Sequence, residues 1–409
     1  MTVQGHCDPR FASLKSELES QLESGNELGA SIVVNIDGEN VVDIWGGHAD
    51  SAHTKPWDRD TIVNLWSSTK TVTALAALIQ ISRGHLDPDA PVSKYWSTDL
   101  RTPGKQPEFA QNGKQKVLVR HFLSHTSGVS GWEQPITWPE IYDPVVSVER
   151  LASQPTWWEP GTASGYHAVN MGHLIGELIK RTSGGKTLKQ FVSDEIVAPL
   201  GGADFQIGAV DKDWPRIASL VPPPPFGADF FTNLDPNSPT VKTFANPITD
   251  ATNAHTPEWR RAELGAVNGH GNARSLARIL SAGVTLGGKD IGKAGGSSSR
   301  SVQLLDPQTI DRIFEVQADG TDVVMGIPVC FGLGYGLTSG GTATSVPWLP
   351  KGKKVCFWPG WGGSIVIMDL DRKVTFAYVM NKMGAGILGS DRTEAYVKAA
   401  YKALGVDGY

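Results

Sequence analysis

The stretch Thr61-Ile62-Val63-Asn64-Leu65-Trp66-Ser67-Ser68-Thr69-Lys70-Thr71-Val72-Thr73-Ala74-Leu75-Ala76-Ala77-Leu78-Ile79 changes character once, at Ser67. Before it runs a β-rich apolar segment. After it comes an apolar segment predicted to be a helix over Val72–Arg83, so that Ser67 opens a helix. Positions i and i+3 of a helix share a face, which makes the Ser67 hydroxyl and the Lys70 amine neighbours. A serine hydroxyl is a weak nucleophile until a base sits beside it. A lysine buried at the positive end of a helix can lose its proton and supply that base. The helix start also leaves the Ser67 N–H free to stabilise an oxyanion. The same four residues suit an N-cap serine followed by an unrelated surface lysine, so context decides between the two readings. A second copy of the spacing, Ser183-Gly184-Gly185-Lys186, follows a helical stretch and reads as a C-cap in a glycine turn.

Working outward, Phe11, Leu14, Leu18 and Leu22 have helical spacing, and Gly25 is a suitable stop. Two apolar runs, Ala30–Ile36 and Val41–Trp45, flank Asp37-Gly38, a hairpin signal. A matching pair near the other end, Ser364–Met368 and Val374–Met380, is joined around Leu370-Asp371-Arg372, and Arg392–Leu404 reads as a closing helix. Between these ends helices are predicted at Val117–His125, Val145–Gln154, Met171–Lys180, Leu188–Val197, Ala273–Leu286 and Pro307–Val316. Pro222–Pro225 reads as a stiff polyproline connector and Gly295–Ser299 as a flexible loop. The fold class expected is α+β: one antiparallel sheet built from both chain ends, flanked by the N- and C-terminal helices, with a helical domain inserted. The boundaries predicted are 1–66 and 265–409 for the discontinuous α/β domain and 67–264 for the insertion, with the active site in the cleft between them.

The chain has 409 residues, a net charge of −5, 40% hydrophobic and 19% charged residues, against roughly a quarter charged in an average soluble domain. Such a composition buries a sizeable core and excludes wholesale disorder. The acidic balance disfavours nucleic acid, which calls for a basic face. No basic amphipathic stripe calls for a membrane surface, and no apolar stretch reaches the roughly 18 residues that span a bilayer. Met1 to Asp8 carries no charged segment followed by an apolar one, and Cys7, Cys330 and Cys356 make no disulfide framework, so a cytoplasmic location is expected. Thirteen tryptophans point to aromatic-lined clefts.

Two further segments favour the chemical reading of Ser67. Tyr166 lies in Glu159-Pro160-Gly161-Thr162-Ala163-Ser164-Gly165-Tyr166-His167-Ala168, a loop ahead of a helix, and a phenol can relay a proton. Trp358-Pro359-Gly360-Trp361-Gly362-Gly363-Ser364 leads into a C-terminal strand, and its glycines allow close approach of a substrate to the backbone. Other constellations carry less. His121 and His125, at i and i+4 without an intervening Glu, do not make a zinc site, and no metal is expected. His125-Thr126-Ser127-Gly128 closes a helix and ties a turn. His270, flanked by glycines, reads as structural, with a place lining the cleft as the alternative. Gly332-Leu333-Gly334-Tyr335-Gly336 has the wrong spacing for a dinucleotide loop. Trp132, Trp138, Trp157 and Trp158 read either as loop packing or as the wall of an acyl pocket.

In their order, Ser67-Ser68-Thr69-Lys70, Val119-Arg120-His121-Phe122-Leu123-Ser124-His125-Thr126-Ser127-Gly128, Pro160-Gly161-Thr162 through Tyr166, and Trp358-Pro359-Gly360 resemble the serine hydrolases of the class C β-lactamase-like family. That family includes carboxylesterases, D-aminopeptidases and fungal acyltransferases, and the resemblance runs from about Leu28 to Met383. It implies that Ser67 is acylated, that Lys70 assists its attack, and that Tyr166 shuttles protons. It also implies that Trp358, Gly360 and Trp361 serve oxyanion and substrate binding, the second oxyanion N–H coming from a strand that begins near Trp361. The family's β-lactamases carry Tyr-x-Asn and Lys-Thr-Gly where this chain has Tyr166-His167-Ala168 and Trp358-Pro359-Gly360. Losing the lysine removes a cation for a substrate carboxylate, and losing the asparagine removes an amide for the acylamino chain. The expectation is a serine carboxylesterase for small, largely apolar esters, working without metal or organic cofactor on a small-molecule ester substrate, with no nucleic-acid or membrane partner. The alternative is an acyltransferase that passes the acyl group to an alcohol of a secondary metabolite; β-lactam or D-aminopeptide cleavage ranks behind both.

Overall fold

The computed structural model describes residues 2–96, 108–224, 234–287 and 302–409. The loop predicted at 295–299 and the last residue of the polyproline stretch, Pro225, fall outside them. Asp37 and Gly38 both have positive φ (50° and 92°), as a tight hairpin turn requires, and they join β2 (Gly29–Ile36) to β3 (Glu39–Gly47). An edge strand, β1 (Gln4–Cys7), pairs with β3. Later in the chain, β4 (Val63–Asn64), β5 (Phe205–Ile207) and β6 (Gly269–Gly271) make a separate three-stranded sheet in the order β4-β6-β5. The remaining strands are β7 (Ala318–Thr321), β8 (Pro328–Phe331), β9 (Gly336–Leu337), β10 (Val355–Pro359), β11 (Ile365–Asp369) and β12 (Val374–Met380). They complete a nine-stranded sheet, β1-β3-β2-β12-β11-β10-β9-β8-β7, in which the two chain ends meet at β2 and β12. That pairing is antiparallel, from Ala30 opposite Met380 to Ile36 opposite Val374.

Side chains alternate between the two faces of a strand, and on β12 both faces are covered. The Thr375 hydroxyl bonds Thr285 at 2.7 Å, in the segment that continues the helix Ala273–Leu280. Tyr378, on the other face, meets Tyr396 of the helix Asp391–Ala403 with ring centroids 4.9 Å apart. The N-terminal helix Ala12–Glu23 packs beside that last helix. Coverage on both sides explains why β2, β11 and β12 are mostly apolar and buried along nearly their whole length rather than alternating.

The residues of 67–264 that the structure describes are helical apart from loops and the strand β5. At their centre the helix Lys70–Ser82 is buried on every side from Lys70 to Gln80, as its unbroken apolar sequence demands. Several predicted helices prove shorter. Val119–Leu123 stops before His125, whose φ of +60° cannot continue a helix, and Pro307–Ile313 ends three residues early. Leu188–Val192 and Ala273–Leu280 each pass into a wider turn of π type. The β-rich run before Ser67 contributes only the two residues of β4. Ser67 itself stands in a 3-10 turn, Trp66–Thr69, ahead of the α-helix that starts at Lys70.

Candidate active site

Trp66 is the residue that presents Ser67. Its φ of +48° is a left-handed conformation that a bulky side chain adopts only when its surroundings impose it. Those surroundings are aromatic: the buried Trp66 indole packs on Trp259 at 5.3 Å and edge-on against Trp361 at 4.9 Å. The backbone thus turns sharply at the end of β4 and lifts Ser67 to a half-buried position, while Ser68 and Thr69 stay in the core. The first N–H of this turn to reach a carbonyl is that of Ser68, on Leu65 O at 3.2 Å, so the Ser67 N–H ahead of it is one of the unpaired donors of a helix start.

Lys70 Nζ lies 3.0 Å from Ser67 Oγ, 2.7 Å from Ala168 O and 3.0 Å from Ala266 O. The two carbonyls take two of its protons, and the third direction points at the serine. Burial pushes the Lys70 pKa well below the usual lysine range, with no carboxylate nearby to offset it. A neutral amine held this way keeps two N–H bonds to main chain and turns its lone pair toward Ser67 Oγ. Tyr166 OH lies 2.7 Å from the same oxygen, and the Lys70 ammonium position sits 4.9 Å from the Tyr166 ring. Burial pushes the phenol pKa up, which keeps Tyr166 in its neutral form, and the same burial favours the neutral amine at Lys70.

Two supports of Tyr166 escape sequence reading. Asp322 is buried and its Oδ1 accepts the N–H of Tyr166 at 3.1 Å and those of Val324 and Met325 at 2.9 Å, tying the tyrosine to the turn between β7 and β8. The signal that could reveal it is an aspartate three residues ahead of Met325-Gly326, an Asx-type turn. His125 Nδ1 accepts the His167 N–H at 3.1 Å, its carbonyl accepts the Gly165 N–H at 2.8 Å, and its ring stacks on Trp358 at 5.1 Å. Burial first, then His167 and Lys70, push its pKa well below the ordinary histidine value, so it packs as a neutral ring.

The third motif runs from the end of one strand into a turn and does not itself start a strand. β10 ends at Pro359, and Gly360 to Gly363 form the connection to β11. The Gly360 N–H is occupied by Ser364 O at 2.7 Å, whereas no main-chain carbonyl among the described residues takes the Trp361 N–H. Gly360 is needed for close approach: a Cβ there would come within 2.2 Å of Ser364 Oγ and 2.5 Å of Leu65 O. Ser364 fastens the turn to the nucleophile segment through Ser68 Oγ at 3.0 Å and Leu65 O at 3.2 Å. Trp358 is 4% exposed, its ring 6.1 Å from that of Tyr166.

The remaining candidates fall elsewhere. His270 is buried in β6, its Nδ1 2.8 Å from Asn268 O, and His121 Nδ1 accepts the Leu118 N–H at 3.1 Å at a helix start. No group of three or more potential metal ligands occurs among the described residues. Lys186 of the second S-x-x-K pairs with Glu195 at 2.7 Å, and Ser183 caps the helix Met171–Thr182. Gly332–Gly336 is the turn between β8 and β9. Trp132 donates to Ser147 O at 3.2 Å and Trp158 to Ala163 O at 3.0 Å, Trp157 lies under Lys242, and Trp138, in the short helix Trp138–Tyr142, packs on Trp259. The three cysteines are free, and no helix among the described residues is long and apolar enough to cross a membrane.

Known proteins resemble the chain over nearly its whole length. The Beta-lactamase family model matches residues 14–400. The esterase/beta-lactamase LipL of Mycobacterium tuberculosis is 30% identical over 400 residues, 95% of this chain and 85% of that protein. A family VIII carboxylesterase of known structure superposes with a TM-score of 0.86 at 30% identity, covering 98% of this chain and all of the other. A penicillin-binding protein homologue from Caulobacter crescentus gives 0.84 at 32% identity over 98% of this chain and all of its own. Matched by the family model from residue 14 to 400 and by these relatives over nearly its whole length, the chain belongs to the beta-lactamase family of serine hydrolases.

Proposed function

We propose that this protein is a serine carboxylesterase that cleaves small, largely apolar esters through an acyl-enzyme on Ser67. The observation that carries this reading is the placing of Ser67 Oγ between Lys70 Nζ at 3.0 Å and Tyr166 OH at 2.7 Å. Ser67 attacks the ester carbon as Lys70 takes its proton. The N–H groups of Ser67 and Trp361 face the oxygen that becomes negative. Tyr166 gives its proton to the departing alkoxide, leaving a lysine cation beside a phenolate, a pair with no net charge. Water then returns a proton to Tyr166 as it attacks the acyl carbon, and Lys70 gives its proton back to Ser67 Oγ, so every proton is accounted for.

The site favours esters over β-lactams because its polar anchors are missing. Trp358 puts an indole where a lysine would hold a carboxylate, and Ala168 offers only a carbonyl, which Lys70 already occupies. The family VIII carboxylesterase and a further relative, esterase EstB of Burkholderia gladioli, are in keeping with this. The second reading, transfer of the acyl group to an alcohol, is favoured by the apolar cavity beside Tyr166 taken up below.

Peptide mass spectrometry after treatment with a fluorophosphonate or a short p-nitrophenyl ester tests the reading. A covalent adduct is expected on Ser67; an adduct on another residue, with Ser67 unmodified, would refute it. Tyr166→Phe is expected to cut turnover about a hundredfold or more, the range of lost acid–base catalysis, in a steady-state assay on an unactivated ester. Unchanged turnover would mean that Lys70 works without it.

A further inference from the structure

Beside these three side chains lies a cavity that the chemistry above leaves unused. Its buried lining includes Val329, Phe331 and Trp358, Met325 and Leu388 are half-buried there, and Tyr166 is the one member of the serine–lysine–tyrosine set that lines it. Neither Ser67, Lys70 nor Trp361 takes part in the lining. That asymmetry says which half of an ester belongs there. An acid protonates a leaving oxygen from hydrogen-bond distance, about 2.6–3.2 Å. With Tyr166 OH as that acid, 2.7 Å from Ser67 Oγ, the leaving oxygen lies on the side of Tyr166. The carbonyl oxygen lies on the side of the Ser67 and Trp361 N–H groups. The group attached to the leaving oxygen therefore runs toward the cavity, and the acyl chain runs elsewhere.

The lining also says what kind of group fits. The N–H and O–H groups of the side chains on it are already engaged: the Tyr166 phenol with Ser67, the Trp358 indole N–H with that phenol, and the Thr342 hydroxyl with the Cys330 N–H, which it accepts at 2.8 Å. A buried water wants two to four polar partners, so this lining is a poor place for water or for a polyol, and a good one for alkyl carbon. Space is short. The volume open to the centre of a water-sized sphere is about 20 Å³, little more than the roughly 10–15 Å³ one such sphere needs.

We propose that this cavity is the alcohol site of the enzyme, shaped for the methyl or ethyl group of a short unbranched primary alcohol. The inference rests on the ester-cleaving reading above and adds the half of the substrate that reading leaves open. It also gives the site a second activity. In the forward direction the bond from acyl carbon to Ser67 Oγ forms and the bond to the alkoxide breaks, with Tyr166 supplying the proton. In reverse, a short alcohol in the same cavity gives its proton to the Tyr166 phenolate and its oxygen attacks the acyl carbon. The bond to Ser67 Oγ breaks, and Lys70 returns the serine's proton. The product is a new ester, formed in competition with hydrolysis. Both directions share one transition state, so the preference among leaving alcohols and the preference among acceptors must be the same.

The experiment uses the full chain and two substrate series: butyrate esters of methanol, ethanol, 1-butanol and 1-hexanol, and ethyl esters of acetate, butyrate and hexanoate. In the alcohol series kcat/KM is expected to fall by about tenfold or more between ethyl and butyl, since overfilling a pocket is penalised on that scale. Leu388→Ala is expected to raise the butyl-to-ethyl ratio about tenfold and to leave the order of the acyl series as it was. Met325→Ala repeats the measurement from another half-buried position, in case one variant folds poorly. With butyryl-enzyme made from a single ester, the partition between added ethanol and 1-butanol should follow the same ratios. Equal rates for ethyl and butyl butyrate, or variants that move the acyl series and not the alcohol series, would overturn the proposal. Ser67 labelling is measured in the same preparations. An unlabelled Ser67 would sink the ester-cleaving reading itself and the alcohol site with it, whereas a labelled Ser67 with no alcohol selectivity sinks only the latter.

Discussion

Ser67→Ala is expected to lower kcat/KM for short esters by about ten-thousandfold or more and to abolish covalent labelling, the scale on which removing one member of a cooperating set acts. The reason lies in how much depends on one oxygen. Lys70 Nζ and Tyr166 OH share no hydrogen bond with each other, and both meet at Ser67 Oγ. Deleting it removes the nucleophile and also the one atom that both side chains hold in place. Rate measurements with an active-site titrant, alongside circular dichroism to show an unchanged fold, check this. A residual activity within about a hundredfold of the parent protein, in a folded sample, would show that another group is acylated.

Lys70→Met is expected to cost nearly as much, and its pH behaviour carries more information. In the parent protein attack requires neutral Lys70, so kcat/KM should rise with pH as Lys70 sheds its proton and then level off. Burial pushes that pKa well below 10.5, so the rise belongs far to the acid side of ordinary lysine titration. The variant loses that limb. Stability provides a second check. Between the lowered pKa of folded Lys70 and the ordinary value of the unfolded chain, the unfolded state binds more protons, so stability of the parent protein rises with pH across that window. The variant lacks this slope. Its Tm relative to the parent is therefore expected to fall steadily as pH is raised through that window toward 10.5, whatever the cost of leaving Ala168 O and Ala266 O without a donor. Parallel Tm curves for the two proteins would mean that Lys70 is charged in the folded state.

What could be seen in advance followed from strong local chemistry. Asp37-Gly38 announces a hairpin because few residues tolerate positive φ at both positions. Ser67 and Lys70 are readable because a three-residue offset at a helix start has one geometric outcome. The misplaced features are those whose cause is tertiary. Ala318–Thr321 and Gly336–Leu337 have no alternation or β-branched run, and become strands because β8 and β10 offer them ladders. Trp361 was expected on a strand, but Gly362 and Gly363, with φ of 92° and 122°, turn the chain there. The acceptors that hold Lys70 are main-chain carbonyls, Ala168 O and Ala266 O, which no residue type advertises. Asp322 could be read as a turn former but not as the anchor of Tyr166, since 156 residues separate the two.

The pairing of β2 with β12 also dictates when the molecule can fold during its synthesis. The hairpin of β2 and β3 forms early, yet the far edge of β2 finds its partner only when Met380 has joined the chain, 350 residues after Ala30. At about 5–20 residues per second that is a wait of roughly 20–70 s on the ribosome, with the apolar run Ala30–Val34 presenting an open strand edge throughout. The central helix Lys70–Ser82 waits as well, for the later helices Ala273–Leu280 and Pro307–Ile313 that pack against it. The nascent chain therefore carries a sticky edge for most of its making, and keeping it apart from its neighbours on a polysome becomes the work of chaperones rather than of the fold.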